Sequence, residues 1–260
     1  MPQRMQKVTV VFPAYNEAGA IARVLEETHS LFSRQNLGKV ELIVVDDGSK
    51  DDTVAVVRRA AERLPVTLIE HGTNRGLGGA LSTGMLAAAQ ASGPDDVVLT
   101  TESDGTQPAS KLVELAQAIR DGADFAVATP LTGCGFEGVP LYRRVLSRGA
   151  NLLYGLLFPV RGLHDYTNLV RGFRASLLQR GIAAYGPESF IDQRGFEAVP
   201  DILLKLRRFK PRVAEVGLKI DFTQMERDSS MDVLRTIRRS LLLCLRHLSG
   251  QARPRAGAGA

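Results

Sequence analysis

Apolar residues in the first half of the chain form short β-branched runs, separated by longer segments of helical period. KVTVVFP (7–13), VELIVV (40–45), VTLIE (66–70), DDVVLTT (95–101) and DFAVAT (124–129) read as five strands. Between the first two, NEAGAIARVLEETHSLF sets Ile21, Val24, Leu25, Thr28 and Leu31 on one helical face. After the second, Ser49 and Asp52 fit a capping box before a helix carrying Val54, Val57, Ala60 and Leu64. NRGLGGALSTGMLAAAQ opens with glycines and turns helical, and KLVELAQAIRDG supplies a further helix. This rhythm predicts an α/β fold with a mainly parallel sheet covered by helices on both faces.

The second half changes character. Between Tyr142 and Arg180 stand seven arginines and a single acid, Asp165. They are mixed with apolar runs such as ANLLYGLLFPV, so their heads either bind phosphate or stay wet while their stems cover apolar surface. From Met231 to Leu248, Val233, Ile237, Leu241, Cys244 and Leu248 fall on one helical stripe, with Leu242 and Leu243 outside it. Arg235, Arg238, Arg239 and Arg246 lie largely opposite. Such a helix packs on the core or rests on anionic lipid. The organisation expected is one α/β domain over 1–230, an amphipathic helix over 231–249 and a disordered, low-complexity tail over 250–260.

Bulk properties narrow the partners. Cys134 and Cys244 are far apart in sequence, which argues against a disulfide framework or a cysteine zinc site and for a reducing compartment. The chain opens without an apolar signal region, and no run reaches the roughly 18 apolar residues of a spanning helix. A cytoplasmic location follows as the expectation. A net charge of +5 favours anionic partners. With aromatics at 6% and no base-stacking motif, nucleic acid is disfavoured against nucleotides, phosphates and a membrane surface.

Ligands in such sheets bind beyond the carboxyl ends of the strands. Three segments exit there: PAYNE after strand one, DDGS after strand two and TESDG after strand four. Carboxylates gathered at one edge repel unless a cation or hydrogen-bond donors balance them. A hard divalent cation, Mg²⁺ or Mn²⁺, fits oxygen ligands of this kind and takes its remaining ligands from substrate phosphates. Some of these residues also have plain structural readings: Asn16, Ser49 and Asp52 as helix caps, and Asp51 as solvated acid near a helix start.

VVFPAYNE, VVDDGSKDDT, NRGLGGAL and ESDGTQP together resemble the family-2 glycosyltransferases of GT-A fold, a Rossmann-related architecture. Within them the chain is most similar to the dolichol- or polyprenyl-phosphate mannose synthases, from about Val8 to about Leu245. The resemblance implies a nucleotide site at Pro13, Ala14, Tyr15, Glu17, Asp46, Asp47 and Ser49. It implies metal ligation by Glu102 and Asp104, the family's DxD signature with glutamate first. RRVLSRGANLL resembles the family's acceptor segment and implies phosphate contacts from Arg143 and Ser147, with Arg148 adjacent. HDYTNLVRGFRA implies roles for Asp165, Thr167 and Arg174, and RGFEAVPDILLKL places Asp201 at the last acidic position of a third motif.

The implied reaction is metal-dependent, inverting transfer of a sugar, mannose first, from a nucleoside-diphosphate donor to a polyprenyl or dolichyl phosphate. Asp104, Arg143, Arg174 and Asp201 are the implied catalytic residues, and the enzyme would be peripheral on the cytoplasmic face of a membrane. A lipid phosphate needs positioning by Arg143, Ser147, Arg148, Arg174 and Arg227 more than it needs a base. A hydroxyl acceptor would need one, and Asp201 is the first candidate. The chain departs from the family pattern in four places. ATPL after the fifth strand lacks an arginine, Thr106 replaces a glutamine, the D-x-T segment has extra residues before Gly172, and the acceptor loop is reduced to ERDSSM without lysine. These leave open a soluble hydroxyl acceptor, or a non-catalytic protein that binds sugar nucleotides or lipid phosphates.

Overall fold

The computed structural model describes residues 7–35, 37–132, 135–221 and 233–254. The first half follows the predicted rhythm: β1 (Val8–Ala14), α1 (Ile21–Arg34), β2 (Val40–Asp46), α2 (Thr53–Ala61), β3 (Val66–Glu70), α3 (Leu77–Ala91), β4 (Val97–Thr100), α4 (Ser110–Arg120) and β5 (Phe125–Thr129). There follow β6 (Phe136–Glu137), α5 (Leu141–Leu157), β7 (Arg171–Arg174), α6 (Ala175–Tyr185), α7 (Pro187–Phe190), α8 (Ala198–Leu206), β8 (Val213–Gly217), β9 (Ile220–Asp221) and α9 (Val233–Leu248).

Seven strands form one sheet in the order β3-β2-β1-β4-β7-β5-β8, and β6 pairs with β9 in a small second one. All pairs are parallel except those of β7, which runs antiparallel between β4 and β5. Because β4 and β5 are wholly buried, their sequences are continuous apolar runs, as a strand covered on both faces requires. One apolar cluster lies on the α1, α2 and α4 face, built on Val10, Phe12, Leu25 and Leu115. The other lies on the α3, α6 and α8 face, around Val11, Leu81, Phe173 and Leu203. Alternate residues of β1 therefore serve opposite cores, which fixes its register against β2 and β4.

Helix α3 approaches β1 closely because Gly84 has no side chain. A Cβ there would meet Val11 Cγ1 at 2.4 Å. At the start of the same helix, Gly76 has φ +82°, and its Cβ would meet the Arg194 carbonyl oxygen at 2.3 Å. The glycine-rich run is thus a packing device that brings the loop before α8 against the loop before α3.

The rotation of α9 differs from the sequence expectation. Leu243 and Cys244 face the core, whereas Ile237, Leu241, Leu242, Leu245 and Leu248 are exposed. The cause is electrostatic. Asp192 receives Arg246, Glu197 pairs with Arg239 at 3.4 Å, and Asp201 meets His247 Nε2 at 2.8 Å. These three acids draw the polar stripe inward and turn much of the leucine face outward. No described helix is long and apolar enough to cross a membrane.

Candidate active site

The exits of β1 and β2 are sewn together. Asn16 adopts φ 57°, its N–H donates to Ser49 Oγ at 2.8 Å, and its side-chain oxygen accepts from Lys50 N at 2.7 Å. Glu17 N donates to Thr53 Oγ1 at 2.8 Å. Asn16 therefore braces the DDGS turn and caps no helix; α1 begins later, at Ile21, with no side-chain cap. Capping of α2 falls to Asp51, which accepts from Thr53 N at 3.0 Å and from Ala18 N at 3.2 Å; Ser49 and Asp52 make no such bond. Pro13 joins the third segment by accepting from Ser103 Oγ at 2.8 Å. Ala14 is buried beneath this junction, and Tyr15 stands partly exposed above it.

The two adjacent aspartates part ways. Asp46 Oδ2 accepts from Gly48 N at 3.1 Å and Ser49 N at 3.0 Å, while its buried Oδ1 has no hydrogen-bond partner. A buried carboxylate oxygen left without a donor is costly unless a ligand supplies one. Asp47, expected at the nucleotide, has both of its oxygens engaged within the chain. Its Oδ1 meets His71 Nδ1 and Arg75 N, and its Oδ2 accepts from Gly76 N, all at 2.8 Å. Both oxygens are spent on holding the glycine-rich loop.

After β4 the chain makes a tight acidic turn. Thr106 N donates to Asp104 Oδ1 at 2.9 Å, and Thr106 Oγ1 lies 2.8 Å from that oxygen and 3.0 Å from Glu102 Oε2. A hydroxyl has one proton, so it can satisfy only one of the two carboxylates at a time. Gln107 Nε2 adds a 3.3 Å contact to Glu102, and Gln107 Oε1 is buried without a partner. Burial pushes the Glu102 carboxyl up and the Asp104 charge adds to it; hydrogen bonds from Thr106 and Gln107 offset part of this, leaving a value of about 7. Among the described residues no group of three or more His, Cys, Asp or Glu gathers as a ready-made metal cage. Two clustered carboxylates and an amide oxygen, all hard and under-satisfied, do fit a cation that completes its shell from substrate phosphate.

Across the same edge lies α5. Arg143 Nε contacts the Tyr142 hydroxyl at 3.1 Å, Ser147 is half-buried, and Arg148 is exposed. The 160s loop packs beside this helix. Thr100 Oγ1 donates to Leu169 O at 2.6 Å and Thr129 Oγ1 to Asp165 Oδ2 at 2.8 Å, tying the loop to the ends of β4 and β5. Asp165 Oδ1 accepts from Thr167 N at 2.9 Å and Asn168 N at 3.0 Å, so its role is to shape the loop. A cavity of about 260 Å³ opens between α5 and this loop, with Arg148 and His164 among its walls.

Two further expected site residues lie elsewhere or are engaged within the chain. Arg174 pairs in register with Val97, at the start of β4 and so at the opposite edge of the sheet. Its guanidinium serves Asp124 at 3.3 Å and the Ile119 carbonyl at 2.8 Å, out of reach of any phosphate at the carboxyl edge. Asp201 is fully buried on α8, with Lys205 Nζ 2.6 Å from Oδ2 and His247 Nε2 2.8 Å from Oδ1. Both of its carboxylate oxygens are engaged by these partners. Arg227 lies outside the described residues.

Three residues escaped the sequence reading. Arg171 is wholly buried and donates to the carbonyls of Val199 (2.5 Å) and Tyr166 (2.6 Å); burial lowers it to about 10. Glu215 accepts from the N–H groups of His164 (2.6 Å) and Asp165 (3.0 Å). His71 is the partner of Asp47. Each works through long-range contacts, and none stands in a local motif that would single it out.

Comparison with known proteins agrees with this architecture. Dolichol-phosphate mannosyltransferase of Pyrococcus furiosus is 31% identical over 205 residues, which is 76% of this chain and 53% of that protein. The chain thus spans about half the length of that relative. Polyprenol monophosphomannose synthase of Mycolicibacterium smegmatis is 28% identical, covering 85% of this chain and 79% of its own length. Glucosyl-3-phosphoglycerate synthase from Mycobacterium tuberculosis, solved with Mn²⁺, uridine diphosphate and glucosyl-3-phosphoglycerate, superposes with a TM-score of 0.66 at 20% identity. The match covers 97% of this chain and 82% of that one, a likeness of fold. Glycosyl transferase family 2 matches residues 9–181, more than half of the sequence, and the chain belongs to that family.

Proposed function

We propose that this chain transfers a sugar, mannose first, from a nucleoside-diphosphate donor to a polyprenyl or dolichyl phosphate. One observation carries the reading. An under-satisfied acidic turn and an arginine-bearing helix with exposed apolar residues share the edge at which Asp46 keeps a buried, partnerless oxygen. Asp46 accepts a donor from the nucleoside, with Tyr15 and Glu17 beside it and Ser49 bracing the turn. Glu102 and Asp104, with Gln107, would hold Mg²⁺ or Mn²⁺, as a divalent cation accompanies UDP in the mycobacterial synthase. Such a cation supplies charge that stabilises the departing diphosphate.

The acceptor phosphate is already an anion, so this chain's task is to hold it in line. Arg143, Ser147 and Arg148 on α5 do this. A hydroxyl acceptor would need a base, and Asp201 is occupied by Lys205 and His247. The lipid reading also explains the outward leucines. Leu141, Val145, Leu152 and Leu156 on α5 and Leu241, Leu242 and Leu245 on α9 are all exposed. With the nearby arginines they form a face suited to an anionic bilayer surface, so the enzyme is peripheral. The catalytic unit spans 1–230 and the lipid-facing helix 231–249.

The test is a panel of GDP- and UDP-sugars against a short prenyl phosphate and against hydroxyl acceptors, with and without Mg²⁺ or Mn²⁺. Metal-dependent transfer to the prenyl phosphate is expected. Transfer confined to hydroxyl compounds would overturn the proposal.

A further inference from the structure

The segment between α7 and α8, residues 191–197, is held from two sides. On one side stands α9. Arg246 Nη1 donates to Asp192 Oδ1 at 3.0 Å, and Arg239 Nη1 lies 3.4 Å from Glu197 Oε1. In the first turn of α8, Asp201 Oδ1 meets His247 Nε2 at 2.8 Å. On the other side stands the glycine-rich start of α3. Gly78 N donates to the Arg194 carbonyl at 3.0 Å, and a Cβ on Gly76 or Gly78 would collide with the Arg194 or Gln193 carbonyl.

The contacts continue to the nucleotide side. Arg75 N and Gly76 N each donate to Asp47 at 2.8 Å. Thr73 and Asn74 pack on Gly48 so closely that a Cβ there would lie 2.9 Å from the Thr73 carbonyl carbon. Gly48 N in turn donates at 3.1 Å to Asp46 Oδ2, on the carboxylate whose other oxygen is buried without a partner. From α9 to Asp46 the chain of touching groups is unbroken. Its sensitive point is Glu197. Asp192 and Asp201 would keep Lys205 if α9 left, but Glu197, with its side chain 4% exposed, pairs with no other cation among the described residues. Gly195 N donates to its Oε1 at 3.1 Å, and its buried Oε2 has no partner. A buried carboxylate that loses its cation must return to water, because an unpaired buried charge is far costlier than a hydrated one. Departure of α9 would therefore draw residues 192–197 outward and loosen the start of α3.

We propose that residues 192–197 form a positioning strap that couples α9 to the nucleotide turn. With α9 docked, the strap holds the loop before α3 against Gly48 and keeps Asp46 in place to receive a nucleoside diphosphate. Nucleotide bound at Asp46 holds α9 docked in return, since a coupling free energy between two sites is the same in both directions. The inference rests on the proposed donor site. Arg239 and Glu197 act through the backbone of Arg194 and Gly78, so they are positioning residues. The rotation that makes these ion pairs also turns Leu241, Leu242 and Leu245 outward, so the strap joins the lipid-facing side of the molecule to its donor side.

The test is titration of GDP and of UDP, with Mg²⁺, into the full chain and its α9 variants. Arg239→Gln and Arg246→Gln take the cations from Glu197 and Asp192. Both arginine side chains are partly exposed, at 39% and 29%, so the variants should fold. Each is expected to weaken the nucleotide that binds wild type about fivefold or more, the lower end of common couplings between sites. Arg239→Lys keeps the charge and should recover most of that loss. Amide hydrogen exchange on the wild type needs no variant and gives a readout that a merely structural role would not move. Saturating nucleotide should slow exchange in α9. Affinity unchanged in both glutamine variants, or α9 exchange indifferent to bound nucleotide, overturns the strap and leaves the donor site standing. Wild type that binds neither GDP nor UDP overturns the donor site and the strap with it.

Discussion

Asp47 and His71 form a buried pair, Oδ1 to Nδ1 at 2.8 Å, and His71 Nε2 continues to Thr83 Oγ1 at 2.9 Å. The chain links the exits of β2 and β3 to the inside of α3. Asp47→Ala would strip acceptors from His71 and from the Arg75 N–H, while the Gly76 N–H keeps Asn74 Oδ1. Leaving buried donors unsatisfied costs about 1–3 kcal/mol each, so a loss of about 3 kcal/mol is expected by urea denaturation. Asp46→Asn should behave oppositely. Its Oδ1 has nothing to lose in the free protein, so stability should change by less than about 1 kcal/mol. Nucleoside diphosphate affinity should fall about tenfold in a titration. Equal effects of both substitutions on binding would contradict this division of labour.

Identical residues side by side with different jobs mark where sequence reading stops. The five strands and four helices of the first half were legible because continuous apolar runs and 3.6-residue periods are local signals. The convergence of PAYNE, DDGS and ESDG followed from strand order. Asp47 did not, because its partners lie 24 to 29 positions on, at His71, Arg75 and Gly76. The placement of Arg174 is not legible locally, because RGFR does not announce that β7 runs antiparallel, which carries its last residue to the far edge. The rotation of α9 was hidden for a similar reason. Its arginines read as solvent-facing until Asp192, Glu197 and Asp201 are seen beneath them.

Asp104 and Glu102 share the Thr106 hydroxyl and repel each other across it. Asp104→Asn removes one charge while keeping the shape of the turn, because the amide oxygen can still accept from Thr106 N. The variant should melt within a few degrees of wild type. Turnover that depends on Mg²⁺ or Mn²⁺ should drop by about a hundredfold or more, the scale seen when a group stabilising transition-state charge is lost. Full metal-dependent turnover in the variant would remove Asp104 from the cation site.

Lys205 and Asp201 make an ion pair in which both side chains are essentially inaccessible. Removing one partner of such a pair leaves a buried charge and costs about 3–5 kcal/mol. Asp201→Ala should therefore be strongly destabilising, with Lys205 also held by Asp192 and the Ser189 carbonyl. Asp201→Asn should be milder, since its oxygen can still accept from Lys205. If Asp201 is a scaffold residue, the folded fraction of Asp201→Asn keeps its kcat at low temperature. A base would lose kcat without loss of stability.

Asp192 is the point at which acid should release α9. Arg246 Nη1 donates to its Oδ1 at 3.0 Å, Nη2 engages the other oxygen, and Lys205 Nζ lies 3.1 Å away. Burial alone would raise this carboxyl. The Arg246 hydrogen bonds and the Lys205 charge outweigh it and hold the group well below the ordinary aspartate value of 3.8. A group depressed in the folded state stabilises it fully above its unfolded value and loses that contribution as pH falls through the folded one. The latch should thus be intact at neutral pH and begin to weaken only below pH 3.8. Amide hydrogen exchange should show α9 losing protection ahead of β1 and β4 as pH is lowered through that range. Asp192→Asn should give faster exchange in α9 already at pH 7, with a smaller acid step in that helix, because Glu197 and Asp201 still pair with Arg239 and His247. A helix that stays protected in the variant at neutral pH would mean that Leu243, Cys244 and His247 hold it without the Asp192–Arg246 contact.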